Sequence, residues 1–198
     1  MISNYFKLKS IDKNDPGYSS AICAGSQHLQ RYIRKKARDY GTSWRVLRPI
    51  SIVDQIFIKA QRIRTIRELG GKQKVDDHID GEFAAIVNYG IIALLQMELP
   101  NDPYTDIPAD EVARLYKAKA DFIRGVMEAK NHDYGEAWRD MSQESFVDLI
   151  LTKLLRIKQI LRNDGKTIIS EGIDANFVDI VNYAIFALIK AGEAGGKL

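Results

Sequence analysis

A shift of 94 residues lays segment 36–94 of this 198-residue chain over segment 130–188 without a gap, Lys36 falling on Lys130 and Leu94 on Leu188. About 26 of the 59 aligned positions are identical, roughly 44%, far above what unrelated segments share. The duplication limits the fold to one that can be made twice from nearly the same pattern. A residue kept in both copies serves either the shared fold or something both halves do.

Each copy reads as three helices. The first covers Ser19 to Arg38, matched by Ile107 or Ala109 to His132, and both stop at Asp-Tyr-Gly, where glycine takes a left-handed cap. The second covers Ser51 to Glu68 and Ser145 to Arg162, with Ser51 and Ser145 as expected N-caps and Gly70-Gly71 and Asp164-Gly165 as stops. The third covers Asp77 to Glu98 and Glu171 to Ala191. Period-two alternation is absent apart from a short extended piece near Thr167-Ile168-Ile169. Residues 1–17, closing on Asn14-Asp15-Pro16-Gly17, form an extension; repeat one spans 18–98, a linker with Leu99-Pro100-Asn101-Asp102-Pro103 spans 99–108, and repeat two spans 109–198. The apolar stripes are too wide for a three-helix unit to cover alone. The expectation is therefore an all-α fold of about six helices, two repeats packed as one pseudo-two-fold bundle, standing as a monomer or pairing further as a homodimer.

A net charge of +3 is too mild to mark a nucleic-acid binder. Basic residues cluster in Arg31 to Arg38 and Lys59 to Arg67, which reads either as an anion-binding face or as two solvated helix faces. The single cysteine, Cys23, excludes an internal disulfide and fits a cytoplasmic location. The N-terminus lacks the order of a signal peptide. The longest apolar run, Phe83 to Met97, is interrupted by Asn88 and Gly90, so no membrane span is expected.

Most shared positions are core: Val53/Val147, Ile56/Ile150, Ile63/Ile157, Ile66/Ile160 and Ile91/Ile185 recur at helical spacing. The shared polar positions ask for more. Lys59 and Lys153 emerge from within apolar stripes, where an ammonium must snorkel, pair or meet an anion. Either Lys59 pairs with a carboxylate across the pseudo-two-fold, or Lys59, Arg62, Lys153 and Arg156 hold phosphate, arginine supplying the forked donors that phosphate accepts. Asn88 and Asn182 interrupt the apolar third helices, as helix-bridging groups or as readers of a base or ribose edge. Tyr40, Trp44, Tyr134 and Trp138, at the Asp-Tyr-Gly-x-x-Trp turns, either pack or stack a base. Glu82 faces Asn176 and Ala85 faces Asp179 in the alignment, so each third helix keeps one carboxylate, in different turns. Asp80 and Asp174 with Asp77 and Glu171 add acid near the helix start, where the dipole favours it.

No histidine recurs between the copies, and neither a Gly-x-x-x-x-Gly-Lys-Ser/Thr loop nor a Gly-x-Gly-x-x-Gly turn is present. Carboxylates with Lys and Arg on helices suit Mg²⁺ and phosphate, with Glu82, Asp148, Glu171, Asp174 and Asp179 as candidate metal ligands.

The string Lys130-Asn131-His132-Asp133-Tyr134-Gly135-Glu136-Ala137-Trp138-Arg139, then Asp148 through Lys153 to Arg156-Ile157, then Asp179-Ile180-Val181-Asn182-Tyr183-Ala184, resembles the nucleotide modification associated domain family, in two copies. The resemblance implies a link to nucleotide or DNA-base modification and brings no catalytic residues with it. More weakly, the third helix is similar to the closing helix of MazG-like all-α NTP pyrophosphatases, whose Glu-x-x-Asp pair binds magnesium. By position that pair would be Glu82 with Ala85 and Asn176 with Asp179, so a complete set would need acids from both copies. Three functions follow as expectations: a Mg²⁺-dependent hydrolase of nucleoside triphosphates or modified nucleotides, a non-catalytic nucleotide- or nucleic-acid-binding module, or a helical scaffold. The expected site lies where the Asp-Tyr-Gly-x-x-Trp turn, the Asp…Lys-x-x-Arg helix and the Asn-Tyr helix meet, shared between the halves.

Overall fold

The computed structural model describes residues 31, 33–75, 78–100, 102, 104–167, 169 and 171–193. The N-terminal extension, Cys23, most of the first expected helix, Asp77 and Ile168 lie outside them. Six helices are described: the end of α1 (33–40), α2 (Pro49–Glu68), α3 (Ile79–Glu98), α4 (Ala109–Tyr134), α5 (Gln143–Arg162) and α6 (Ile173–Glu193). Short 3₁₀ turns, Ser43–Val46 and Ala137–Asp140, precede α2 and α5. The described residues contain no strand; Thr167 and Ile169 lie in irregular chain, not in the extended piece expected there.

Sequence chemistry accounts for the helix ends, with two differences from expectation. α2 begins at Pro49, whose fixed φ suits a first helical position, so Ser51 lies inside the first turn and caps nothing. α5 is capped by Ser142, whose Oγ accepts from Ser145 N at 3.2 Å; Ser145 is the residue capped, not the cap. α4 runs through Asp133 to Tyr134 before Gly135 turns left-handed at φ 60°. Gly41 repeats this at φ 64°, and there a Cβ would also meet Asp106 Oδ1 at 2.5 Å.

The core is a ring of four helices. α3 and α6 pack most extensively on each other, α2 lies on α3, α5 on α6, and α2 and α5 close the ring. α4 lies against α3 and α6. By length and composition alone α3 and α6 would each pass for a membrane span, as buried core helices also do. Most of that apolar surface is buried, including Phe83, Ile86 and Val87 of α3 and Phe177, Ile180 and Val181 of α6. Their close approach requires Gly90, where a Cβ would collide with Val181 Cγ2.

The seam between α2 and α5 carries the pseudo-two-fold as paired charges. Lys158 Nζ donates to Asp54 Oδ1 at 2.7 Å, and Arg64 Nη2 lies 3.8 Å from Asp148 Oδ1. Asp54 and Asp148 are equivalent, as are Arg64 and Lys158, so the same contact is made twice, as in an isologous dimer interface. Each half covers the apolar stripe the other leaves open.

Two helical glycines of opposite environment test this packing. Gly90→Ala should destabilise the chain by about 1–3 kcal/mol in urea unfolding, because overpacking α3 against α6 outweighs the gain in helix propensity. Gly125→Ala on α4, with nothing within 4 Å of its added Cβ, should instead stabilise by roughly 0.5–1 kcal/mol. Equal effects at the two positions would contradict the close approach.

Candidate functional site

Each repeat buries one carboxylate and closes cations around it, but the carboxylates stand one helical turn apart. In repeat one Glu82, in the first turn of α3, accepts from Lys59 Nζ at 3.0 Å and Arg62 Nη1 at 2.5 Å, both on α2. In repeat two Asp179 of α6 accepts from Lys153 Nζ of α5 at 2.6 Å and Lys130 Nζ of α4 at 2.7 Å. The lysines that emerge from apolar stripes therefore pair within their own repeat, not across the pseudo-two-fold. The reason is adjacency: α2 packs on α3 and α5 on α6, which sets the acid of each third helix beside the lysine of its own second helix.

The Asp-Tyr-Gly-x-x-Trp turn is held against the third helix by equivalent residues of different chemistry. Gln96 Nε2 donates to the carbonyls of Arg45 and Leu47, at 2.5 and 3.3 Å. In repeat two Lys190 Nζ donates to the carbonyls of Arg139, at 2.6 Å, and Met141. A lone Gln-to-Lys difference in the alignment carries no signal of this role. Thr42 ties the first turn to the linker, its N and Oγ1 donating to Asp106 Oδ1 at 2.8 and 3.0 Å.

Between this turn, α1, α2 and α3 lies a cavity of about 440 Å³ lined by Lys36, Tyr40, Trp44, Lys59, Asn88 and Tyr89, with Ala37, Ala85 and Ile92 among its smaller walls. The three segments that both copies keep meet here, yet every described lining residue belongs to repeat one, so among the described residues the cavity is not shared between the halves as expected. At three equivalent positions repeat two carries larger groups, each with a partner inside that repeat. Asp179 stands where repeat one has Ala85, and its carboxylate takes both lysines. Asn131 stands where repeat one has Ala37, and its Oδ1 accepts from Trp138 Nε1 at 3.1 Å. Phe186 stands where repeat one has Ile92, and it stacks on Trp138 at 4.4 Å between ring centroids. Trp44 Nε1, equivalent to the bonded Trp138 nitrogen, has no hydrogen-bond partner among the described residues.

The remaining site candidates sort by place. Tyr40 and Tyr134 are exposed, and Lys36 Nζ stands 5.2 Å from the Tyr40 ring centre. Asn88 Oδ1 accepts from the buried Tyr116 hydroxyl of α4 at 2.6 Å, so it bridges the repeats while also edging the cavity. Asn182 is buried with both amide atoms unpartnered among the described residues. Arg156 is exposed, beside Glu171 and Asn176 in a separate surface depression. The five candidate metal ligands are not brought together. Both oxygens of Glu82 and of Asp179 are taken by cations, Asp148 faces Arg64 across the helix seam, Asp174 is exposed, and Glu171 comes 4.0 Å from Lys153. Among the described residues no three His, Cys, Asp or Glu side chains cluster as a metal would need. Ala37, Ala85 and Ile92 escape a reading based on shared polar residues, because each matters by being smaller than its counterpart; Lys36, identical to Lys130, is a shared polar residue that the candidate set left out.

Burial disfavours the Asp179 carboxylate, but hydrogen bonds from Lys130 and Lys153 outweigh it and hold the carboxyl below its usual value of 3.8. The same contact raises Lys130 against the opposing effect of its burial. A depressed folded pKa stabilises the protein above the unfolded value and is lost as pH falls through the folded one. Stability should therefore decline below about pH 4, and Asp179→Asn should flatten that limb of a urea-unfolding series run against pH while lowering stability at neutral pH. An unchanged acid limb in the variant would remove Asp179 from the acid response.

The family model described as nucleotide modification associated domain 1 matches the chain twice, at residues 36–97 and 130–191. No curated protein and no solved structure matches it. The two matches cover both Asp-Tyr-Gly-x-x-Trp turns, both lysine helices and both Asn-Tyr helices, and together span more than half the chain. The protein belongs to the nucleotide modification associated domain 1 family, in two tandem copies.

Proposed function

We propose that the protein binds a nucleotide in the cavity of repeat one, as a binding module acting in nucleotide modification. The observation that carries this reading is the donor set of the cavity. Lys36 and Lys59 line it, the Trp44 indole N–H has no acceptor among the described residues, and no carboxylate is among the described lining residues. Such a wall selects a ligand rich in acceptors and negative charge. The faces of Tyr40 and Trp44 suit an aromatic base, and a volume of about 440 Å³ lies within the usual range for small-molecule sites. The phosphate end lies between the two ammonium groups and the base against the aromatic turn. Lysine serves here as a point charge, and Asn88, fixed through its carbonyl by Tyr116, is left to present its amide to a base or ribose acceptor.

Binding, not metal-dependent hydrolysis, is favoured because the buried acids nearest the lysine helices are already neutralised by cations. Isothermal titration with a panel of nucleoside mono-, di- and triphosphates, with and without Mg²⁺, tests the reading. Binding should survive chelation of divalent metal, with no pyrophosphate released. Lys36→Ala should weaken affinity about tenfold, and Trp44→Phe by several-fold through loss of one donor with the ring kept, each with a melting temperature close to that of the parent. Lys153→Ala, removing a buried partner of Asp179, should instead cost about 3–5 kcal/mol of stability. No binding across the panel would refute the proposal, and pyrophosphate release would favour the hydrolase.

A further inference from the structure

We infer that Asp179 is a built-in stand-in for the ligand's anionic group, so that repeat two is closed to ligand and the chain takes one ligand, in repeat one. The inference rests on the nucleotide reading for the identity of the ligand but not for the equivalence of the two sites. Lys36 and Lys59 are the counterparts of Lys130 and Lys153; in repeat two Asp179 of α6 takes both lysines, whereas in repeat one the acid of α3, Glu82, stands a turn earlier and takes Lys59 with Arg62. Three independent positions change together: aspartate, asparagine and phenylalanine in repeat two are alanine, alanine and isoleucine in repeat one. Each change removes a group that occupies the interior of repeat two, and the three small residues all line the repeat-one cavity. Asp179 answers the ammonium groups, Asn131 answers the indole N–H, and Phe186 covers the indole face.

Repeat two thus displays what repeat one asks of a ligand. It must carry a compact oxyanion bridging two lysines, an acceptor for an indole N–H, and a flat ring lying on that indole. A nucleoside monophosphate has all three, with one phosphate in the place of one carboxylate. Repeat one, meanwhile, keeps Lys59 compensated through Glu82, a turn away from Ala85, which lets the cavity exist in a folded chain.

Calorimetric titration with nucleoside 5′-monophosphates on three proteins tests this. The parent should bind one equivalent. Ala85→Asp, which installs the stand-in in repeat one, should bind none while keeping its helical circular dichroism. The triple variant Asn131→Ala, Asp179→Ala, Phe186→Ile, which gives repeat two the residues of repeat one, should bind two. Two equivalents on the parent, undiminished affinity in Ala85→Asp, or one equivalent on a folded triple variant would overturn the inference. If the parent binds no nucleotide, the nucleotide reading fails alone, and thermal unfolding of Asp179→Ala then decides. Inorganic phosphate should raise the melting temperature of this variant by more than that of the parent, by refilling the anion position. Equal shifts in the two proteins would overturn the stand-in. The same comparison serves if the triple variant does not fold.

Discussion

The contact between α3 and α6 is what the rest of the structure depends on. Two helices apolar enough to be taken for membrane spans bury their faces against one another, close enough that Gly90 must lack a side chain beside Val181. Neither repeat could shield such a helix with its own α2 or α5 alone, so the halves form one core, not two domains. The paired Asp54–Lys158 and Arg64–Asp148 contacts then set the register of the outer helices. They are exposed or half-exposed, and add orientation more than stability.

Placing a lysine inside each second helix's apolar stripe creates a second constraint, since a buried ammonium must be compensated. The repeats meet it differently. Repeat two places its acid between two lysines, at the position where repeat one has Ala85. Repeat one places its acid one turn earlier, against a lysine and an arginine, and Ala85 borders the cavity. The two copies of one scaffold thus compensate the same lysine from different turns of the third helix.

The helices were legible because apolar spacing and Gly caps act over a few residues. Their exact starts were less so: α2 starts at Pro49 with Arg48 in the N-cap position, and Ser142 caps α5 in place of Ser145, a choice between neighbouring residues that local pattern does not resolve. The lysine anomaly was also legible, as a charge out of place in an apolar stripe. Its resolution was not, because the partner comes from a helix more than 20 residues away and depends on which helices adjoin. The shared polar residues drew attention to identity between the copies, whereas the cavity arises from their differences at Ala37, Ala85 and Ile92.

From sequence alone came the duplication, the all-α class, the three-helix plan of each repeat and the membership suggested by its turn and helix motifs. These depend on periodicity and on residue identity, which the chain carries locally. Tertiary structure alone decided that the candidate metal ligands stand apart, that each lysine of an apolar stripe pairs within its own repeat, and that Ala37, Ala85 and Ile92 of repeat one border a cavity. Those outcomes turn on side chains brought together from separate helices, where a shift of one helical turn in a single acid changes which cations it meets and which space it fills.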